Sequence, residues 1–142
     1  MKKTILCMLF MLSCVCGFAQ SAFYADDINA GSTLSYNGAV VEVDSKQTFD
    51  VYMGSTDKVV VFFYTEWCGP CRMMSVFCEE LASRYPEILF LMVDAEKLED
   101  IAQEYRIRTV PTVLGFYKHN SSWQIVGGCS KSKLENHVQL LL

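Results

Sequence analysis

The 142-residue chain has little positive charge and no basic segment. Its 12 Lys and Arg residues are outnumbered by 16 Asp and Glu residues, which gives a formal net charge of −4. No cluster of Lys and Arg is interleaved with aromatic residues, the pattern that nucleic-acid-binding surfaces need for phosphate and base contacts. The composition therefore argues against nucleic acid as a partner.

The sequence also has no apolar run as long as the roughly 20 residues that cross a bilayer. Its N-terminal apolar run covers about residues 5–18, after Lys2 and Lys3, with the small residues Gly17 and Ala19 at its end. This pattern is typical of a secretory signal peptide, and we expect residues 1–19 to be removed on export. The mature protein is then periplasmic or otherwise extracytoplasmic, without a retained membrane span.

A lipid anchor is the less favoured alternative, because neither Cys14 nor Cys16 follows a Leu-x-Gly/Ala pattern. Removal of residues 1–19 takes away three of the seven cysteines. The mature chain keeps Cys68, Cys71, Cys78 and Cys129.

No internal repeat or low-complexity tract is present. Residues 20–38 are rich in Ser, Asn, Asp and Gly and lack apolar periodicity, which indicates an N-terminal arm or linker. The remaining residues, 39–142, have the length of one domain. A composition of 51% hydrophobic and 20% charged residues indicates that this domain is globular.

Apolar periodicity predicts alternating strands and helices in this domain. Five strands are expected, at residues 39–43, 58–64, 88–94, 112–117 and 123–126. Four helices are expected, at residues 45–53 after a capping Asp44 or Ser45, about 68–85 before Pro86, near 98–105, and over a final stripe of Leu134, Val138 and Leu141. This order predicts an α/β fold with a mixed central β-sheet flanked by helices.

Two cysteines lie where the 58–64 strand is followed by the long helix. Cys68 is expected at the helix N-terminus, where unpaired backbone N–H groups and the helix dipole favour a thiolate. Pro70 suits the first turn, which needs no N–H there, and Gly69 leaves the first sulfur sterically open. Helical residues three apart have Cβ atoms about 5–6 Å apart, so a disulfide from Cys68 to Cys71 can close and reopen. This spacing favours redox turnover over a structural staple.

These residues resemble the thioredoxin family through WCGPC at residues 67–71, RTVPT around Pro111 and VGG at residues 126–128. The resemblance covers roughly residues 39–142 and implies a thioredoxin-like fold. It implies that Cys68 attacks substrate disulfides, that Cys71 resolves the mixed disulfide, and that Pro111 is a cis-proline facing the pair. It also implies a substrate-binding surface, with Val110 offering backbone groups to an extended segment, formed by Trp67, Gly69, Pro70, Val110, Pro111, Gly127 and Gly128.

The chain departs from the family pattern around the second cysteine. Phe62 stands where thioredoxins usually have a buried Asp, and Phe90 where a partnering Lys is common. Replacing both members of a buried ion pair with apolar groups can be neutral for stability. Deprotonation of Cys71 then needs water or another group, such as Glu66. The usual helix-kinking proline is likewise replaced, by Val76.

The two other cysteines of the mature chain have different expected roles. Cys78 shares a helical stripe with apolar residues, so it is expected to pack in the core. Cys129 follows Gly127 and Gly128, which leaves open a packed residue, a second reactive thiol or a bridge to Cys78. His119 and His137 show no partner pattern and are expected at the surface.

We therefore expect an extracytoplasmic thiol-disulfide oxidoreductase that reduces or isomerises protein disulfides. Its redox centre is a Cys68–Cys71 disulfide, with no other cofactor and no metal. Its expected partners are disulfide-bearing client proteins and a membrane electron donor, because exported compartments are oxidising. The direction of electron flow is open, so a disulfide oxidase on the same fold is an alternative.

Two other classes of function compete with this interpretation. A zinc module could use the four cysteines of the mature chain, but Cys78 is too far along the helix to join Cys68 and Cys71 around one ion. A non-catalytic binding module could retain the fold, although the intact WCGPC motif argues against it.

Overall fold

The computed structural model describes residues 36–142. The predicted signal peptide and most of the predicted arm lie outside the described residues, so both stay predictions. No helix in the described range is long and apolar enough to cross a membrane.

Five strands and four α-helices alternate along the described part of the chain. The strands are β1 (Val40–Glu42), β2 (Lys58–Tyr64), β3 (Leu89–Asp94), β4 (Thr112–Tyr117) and β5 (Asn120–Val126). The helices are α1 (Lys46–Ser55), α2 (Gly69–Arg84), α3 (Glu99–Glu104) and α4 (Lys131–Val138), and a 3₁₀ turn, Gln139–Leu141, follows α4.

The strands form one sheet in the order β1-β3-β2-β4-β5. Strands β1 and β2 both pair parallel to β3, whereas β4 pairs antiparallel to β2 and to β5. The sheet is therefore mixed, as predicted. Strand β2 is central, and its five inner residues are buried, which explains its unbroken apolar sequence.

Two apolar layers cover the two faces of the sheet. Helices α2 and α4 close one face over a cluster that includes Phe62, Cys71 and Leu134. Helices α1 and α3 close the other face over Phe49 and Ile101. Full burial of one such large side chain stabilises the fold by about 1.5–3 kcal/mol.

The predicted ends of helices and strands differ from the observed ends mainly in exposed segments. Ser45 caps α1 by accepting a hydrogen bond from the Thr48 N–H at 3.2 Å, which selects Ser45 over Asp44 as the cap. Strand β5 begins at Asn120 rather than at residue 123. Its first residues are exposed and polar, so apolar alternation could not reveal them. Lys118 and His119, both with positive φ, form the tight turn that starts this pairing.

A close contact between Gly115 on β4 and Trp123 on β5 fixes the packing of the indole ring. The two residues are register partners, and a Cβ atom on Gly115 would lie 2.1 Å from Trp123 Cε2. No real Cβ contact is that short, so the ring needs a glycine beneath it.

We predict that Gly115→Ala destabilises the protein by about 1–3 kcal/mol, because the added methyl group must displace the Trp123 ring. Denaturant unfolding monitored by tryptophan fluorescence measures this change. Gly54→Ala is the matched control, since Gly54 lies in α1 with no atom within 4 Å of the position that an added methyl group would occupy. Gly54→Ala should raise stability by about 0.5–1 kcal/mol. Equal unfolding midpoints for Gly115→Ala and the unchanged protein would contradict the prediction.

Candidate active site

The two cysteines of the WCGPC motif form a disulfide at the start of helix α2. Cys68 is the N-cap residue, with φ −78° and ψ 105°, and Gly69 is the first helical residue. The Cys68 N–H donates to the Thr65 carbonyl at 3.2 Å, which closes the short turn after β2. The Sγ atoms of Cys68 and Cys71 are 2.13 Å apart, and the Cα atoms are 5.3 Å apart. The predicted pairing is therefore present.

The disulfide is shielded, but its surroundings are open. Cys68 and Cys71 are 5% and 3% exposed, whereas the neighbouring Trp67 is 69% exposed. Among the described residues, and apart from the chain neighbours of Gly69, no atom lies within 4 Å of a Cβ built on Gly69. A partner can therefore approach beside Gly69 and rest on the Trp67 indole, whose apolar surface favours such contact.

Backbone hydrogen bonds join the proline loop to the glycine segment. The Val110–Pro111 peptide bond is cis, and the Pro111 carbonyl accepts from the Gly127 N–H at 2.8 Å. Thr112 stabilises the same loop, because its Oγ1 donates a hydrogen bond to the Thr109 carbonyl at 2.7 Å. Gly127 has φ +83°, a backbone conformation that residues other than glycine rarely adopt.

The glycine segment also reaches the cysteine turn. A Cβ built on Gly128 would lie 3.7 Å from the Cβ of Pro70, in ordinary contact. Gly128 therefore lies beside Pro70, and Gly127 bonds to Pro111, so the three predicted segments are neighbours in the fold. Their role in substrate binding stays a prediction.

Phe62 packs in the same apolar cluster as Cys68 and Cys71. Phe62 is 1% exposed, pairs with Met92 and Val113 in the sheet, and stacks on Tyr64 with ring centroids 5.9 Å apart. Phe90, on the adjacent strand, is also 1% exposed. Neither ring carries a charge, so their burial has no cost of charge desolvation.

A cavity of about 140 Å³ opens beside the second cysteine. It is lined by Tyr64, Thr65, Glu66, Cys68, Cys71, Arg72, Ser75 and Met92. The predicted proton acceptor Glu66 therefore does border the same space as Cys71. Its carboxylate contacts Lys97 Nζ at 2.5 Å, and both side chains are more than 60% exposed. Exposed ion pairs of this kind contribute about 0–1 kcal/mol to stability.

Two polar residues of this region were not identified from the sequence. Tyr64 donates through its hydroxyl to Glu42 Oε1 at 2.7 Å. Burial and this hydrogen bond raise the pKa of Tyr64 above its usual value, so it stays protonated at neutral pH. Thr65 is 4% exposed, and its Oγ1 has no hydrogen-bond partner among residues 36–142. No sequence signal marks either residue, because both roles depend on contacts formed in three dimensions.

The other two cysteines are free thiols and are not bridged to each other. Cys78 is fully buried, as predicted, and burial raises its pKa to about 12. Cys129 is half-buried and donates through Sγ to Met74 Sδ at 3.8 Å, and burial raises its pKa as well. The packed interpretation of Cys129 therefore agrees with its position, and the bridge to Cys78 does not.

The zinc alternative conflicts with this arrangement. The Cys68–Cys71 disulfide uses two of its four proposed ligands. Within residues 36–142, no group of three or more His, Cys, Asp or Glu side chains is placed to hold a metal ion. The histidines lie elsewhere: His119 is exposed beside the Met53 carbonyl, and His137 packs edge-on against Trp123.

We predict that native protein at neutral pH is alkylated slowly at Cys129 and not at Cys78. Burial raises both thiol pKa values, so each thiol is mainly protonated below its folded pKa, and the Cys129 rate should rise with pH. Iodoacetamide labelling with peptide mapping measures both sites. Cys129→Ser should abolish this labelling, whereas Cys78→Ser should leave it unchanged. Rapid labelling of Cys78 in folded protein would contradict its burial.

The thioredoxin family model matches residues 40–140 of this chain. The chain is 34% identical to thioredoxin H7 of Arabidopsis thaliana over 117 residues, covering 80% of this chain and 90% of that protein. It is 34% identical to the thioredoxin of Pongo abelii over 105 residues, which cover 72% of this chain and 99% of that protein. The solved structure of a mutant thioredoxin from Halobacterium salinarum NRC-1 superposes with a TM-score of 0.70 at 25% identity. The superposition covers 74% of this chain and 92% of that chain. The predicted family and fold are thereby confirmed, and this chain belongs to the thioredoxin family of protein-disulfide oxidoreductases.

Proposed function

We propose that this chain is an extracytoplasmic reductase of protein disulfides that acts through Cys68 and Cys71. The observation that carries the proposal is the position of this cysteine pair at the N-terminus of α2, beside exposed Trp67 and the Pro111 loop. A pair placed on a helix end can change redox state with little movement of the core.

In the first step, the Cys68 thiolate attacks one sulfur of a client disulfide. The helix N-terminus favours the thiolate, and the space beside Gly69 admits the client. A bond forms between Cys68 Sγ and the client sulfur while the client disulfide breaks. The second client sulfur leaves as a thiolate and takes a proton from solvent.

In the second step, Cys71 resolves the mixed disulfide. Its thiol loses a proton, and the resulting thiolate attacks Cys68 Sγ, which releases the remaining client sulfur as a thiolate. The client has gained two electrons, and Cys68 and Cys71 have lost them. The Cα separation of 5.3 Å allows the two sulfurs to meet without unfolding α2.

An exposed apolar surface surrounds the pair and supports a protein substrate. Trp67, Met73 and Val126 are 69%, 55% and 61% exposed. Val110 borders a groove of about 440 Å³ that Trp67 also lines. We propose that an extended client segment lies over this surface and pairs with the Val110 backbone.

The direction and the location of the reaction rest on sequence. The Gly69-Pro70 dipeptide resembles that of reducing thioredoxins, and residues 1–19 have the pattern of a signal peptide. An exported compartment is normally oxidising, so a reductase there needs continuing electron supply. We propose a membrane-bound electron donor that reduces the Cys68–Cys71 disulfide after each turnover.

We predict that Cys71→Ser traps clients as mixed disulfides on Cys68, because attack still occurs and resolution does not. Non-reducing gels and mass spectrometry of purified material detect these species. Cys68→Ser should trap few or none, and Cys129→Ser should behave like the unchanged protein. Absence of mixed disulfides with Cys71→Ser would favour the non-catalytic binding module.

We also predict that the Cys68–Cys71 pair is mostly reduced in the extracytoplasmic fraction and becomes mostly oxidised when the membrane donor is removed. Acid-quenched thiol labelling measures the redox state. N-terminal sequencing of the same material should show that the mature protein begins at or near Gln20. An oxidised pair under both conditions, with clients that gain disulfides, would favour the oxidase alternative. An intact Met1 in this material would contradict removal of the predicted signal peptide.

A further inference from the structure

Thr65 has a buried hydroxyl that the rest of the fold does not explain. It follows β2 directly, is 4% exposed, and its Oγ1 has no hydrogen-bond partner within the described part of the chain. Buried hydroxyl groups in folded proteins are nearly always paired with protein atoms or with ordered water. Thr65 also lines the cavity beside Cys71, whose volume of about 140 Å³ admits several water molecules. An unpaired hydroxyl group in the wall of such a cavity is the kind of group that an ordered water molecule satisfies.

The surroundings of Cys71 show why such a water matters. Cys71 is 3% exposed and packs in the apolar cluster with Phe62, Met74 and Cys78. An aromatic ring and a thioether do not accept protons, and burial raises the pKa of Cys78 to about 12, so it already holds its proton at neutral pH. The proton of Cys71 must therefore leave through the cavity.

The residues that line the cavity include one suitable acceptor for the proton of the Cys71 thiol. Among the described residues that line it, Glu66 alone carries a carboxylate. Tyr64 borders the same space, but its hydroxyl is engaged as a donor to Glu42. Glu66 is 70% exposed at its side chain, so a proton that it receives can pass on to solvent.

We propose that the Thr65 hydroxyl holds a water molecule that carries the proton of the Cys71 thiol to the Glu66 carboxylate during resolution. The inference rests on the roles proposed above for Cys68 and Cys71. Thr65 is a positioning residue in this step, and Glu66 is the general base acting through water.

The proton and electron balance of the step is complete. The Cys71 S–H bond breaks as the water takes its proton and gives another to Glu66. The Cys71 thiolate then forms a bond to Cys68 Sγ, and the bond from Cys68 to the client sulfur breaks. The client leaves as a thiolate, and Glu66 returns its proton to solvent.

Several charged and titratable groups surround Glu66. Lys97, after β3, contacts the Glu66 carboxylate at 2.5 Å and Asp94 at 3.6 Å. Arg72 on α2 and Tyr64 at the end of β2 line the same cavity. A pH profile of resolution therefore reports this group of residues together with Cys71.

The test separates attack from resolution in the full chain. Reduced protein is mixed with a disulfide-linked peptide, quenched with acid at successive times, and the mixed disulfide on Cys68 is followed by mass spectrometry. Its formation measures attack by Cys68, and its decay measures resolution by Cys71. Thr65→Val keeps the shape of the side chain and removes the hydroxyl, and Thr65→Ser restores the hydroxyl.

We expect Thr65→Val and Glu66→Gln to slow decay of the mixed disulfide by at least about ten-fold near neutral pH and to leave its formation unchanged. This loss is smaller than the 10²–10⁴-fold typical of a removed general base, because bulk water substitutes in part. The deficit should shrink toward about pH 9, where hydroxide removes the proton directly. Thr65→Ser should restore most of the rate.

Glu87→Gln is the matched charge control. Glu87 is exposed and precedes β3, whereas Cys68 follows the opposite end of the parallel strand β2. Glu87→Gln should leave formation and decay unchanged. Normal decay in Thr65→Val or in Glu66→Gln would overturn the proposal, and so would equal slowing of formation and decay. Absence of any mixed disulfide with Cys71→Ser, in which resolution cannot occur, would instead refute the proposed roles of Cys68 and Cys71.

Discussion

The burial of strand β2 on both faces is the constraint on which the rest of the structure depends. Its residues from Val59 to Phe63 are each at most 1% exposed, and β3 and β4 pair with it on either side. A slip of one residue would exchange the side chains that meet the two apolar layers. The register of β2 therefore fixes where the strand ends, and with it the turn that presents Cys68 at the N-terminus of α2.

The same apolar packing decides the chemistry around the second cysteine. Phe62 packs in the same apolar cluster as Cys71 and brings no proton acceptor to it. The polar groups near Cys71 lie instead toward the surface, on the turn that carries Thr65 and Glu66. The exposed ion pair from Glu66 to Lys97 contributes little to folding, so this turn can serve the reaction at little cost in stability.

Backbone and side-chain contacts together hold the surface around the disulfide. The Gly127 N–H donates to the Pro111 carbonyl, and Gly128 lies beside the Pro70 ring. The exposed side chains of Trp67 and Met73 are not needed for this support, and they remain available to a partner. A site built in this way stays rigid while its contact residues face solvent.

The sequence by itself determined the α/β order of elements, the bounds of β2 and β4, the cysteine pair at a helix start and the burial of Cys78. Each of these follows from a local pattern, such as apolar periodicity or the spacing of two residues. Tertiary structure decided that β5 begins at Asn120, because exposed polar residues join a strand only when a neighbouring strand offers hydrogen bonds. It also decided that the Thr65 hydroxyl is buried beside Cys71 without a hydrogen-bond partner among residues 36–142. The cavity there is formed by β2, α2 and β3 together, and such packing leaves no periodic signal in any one segment.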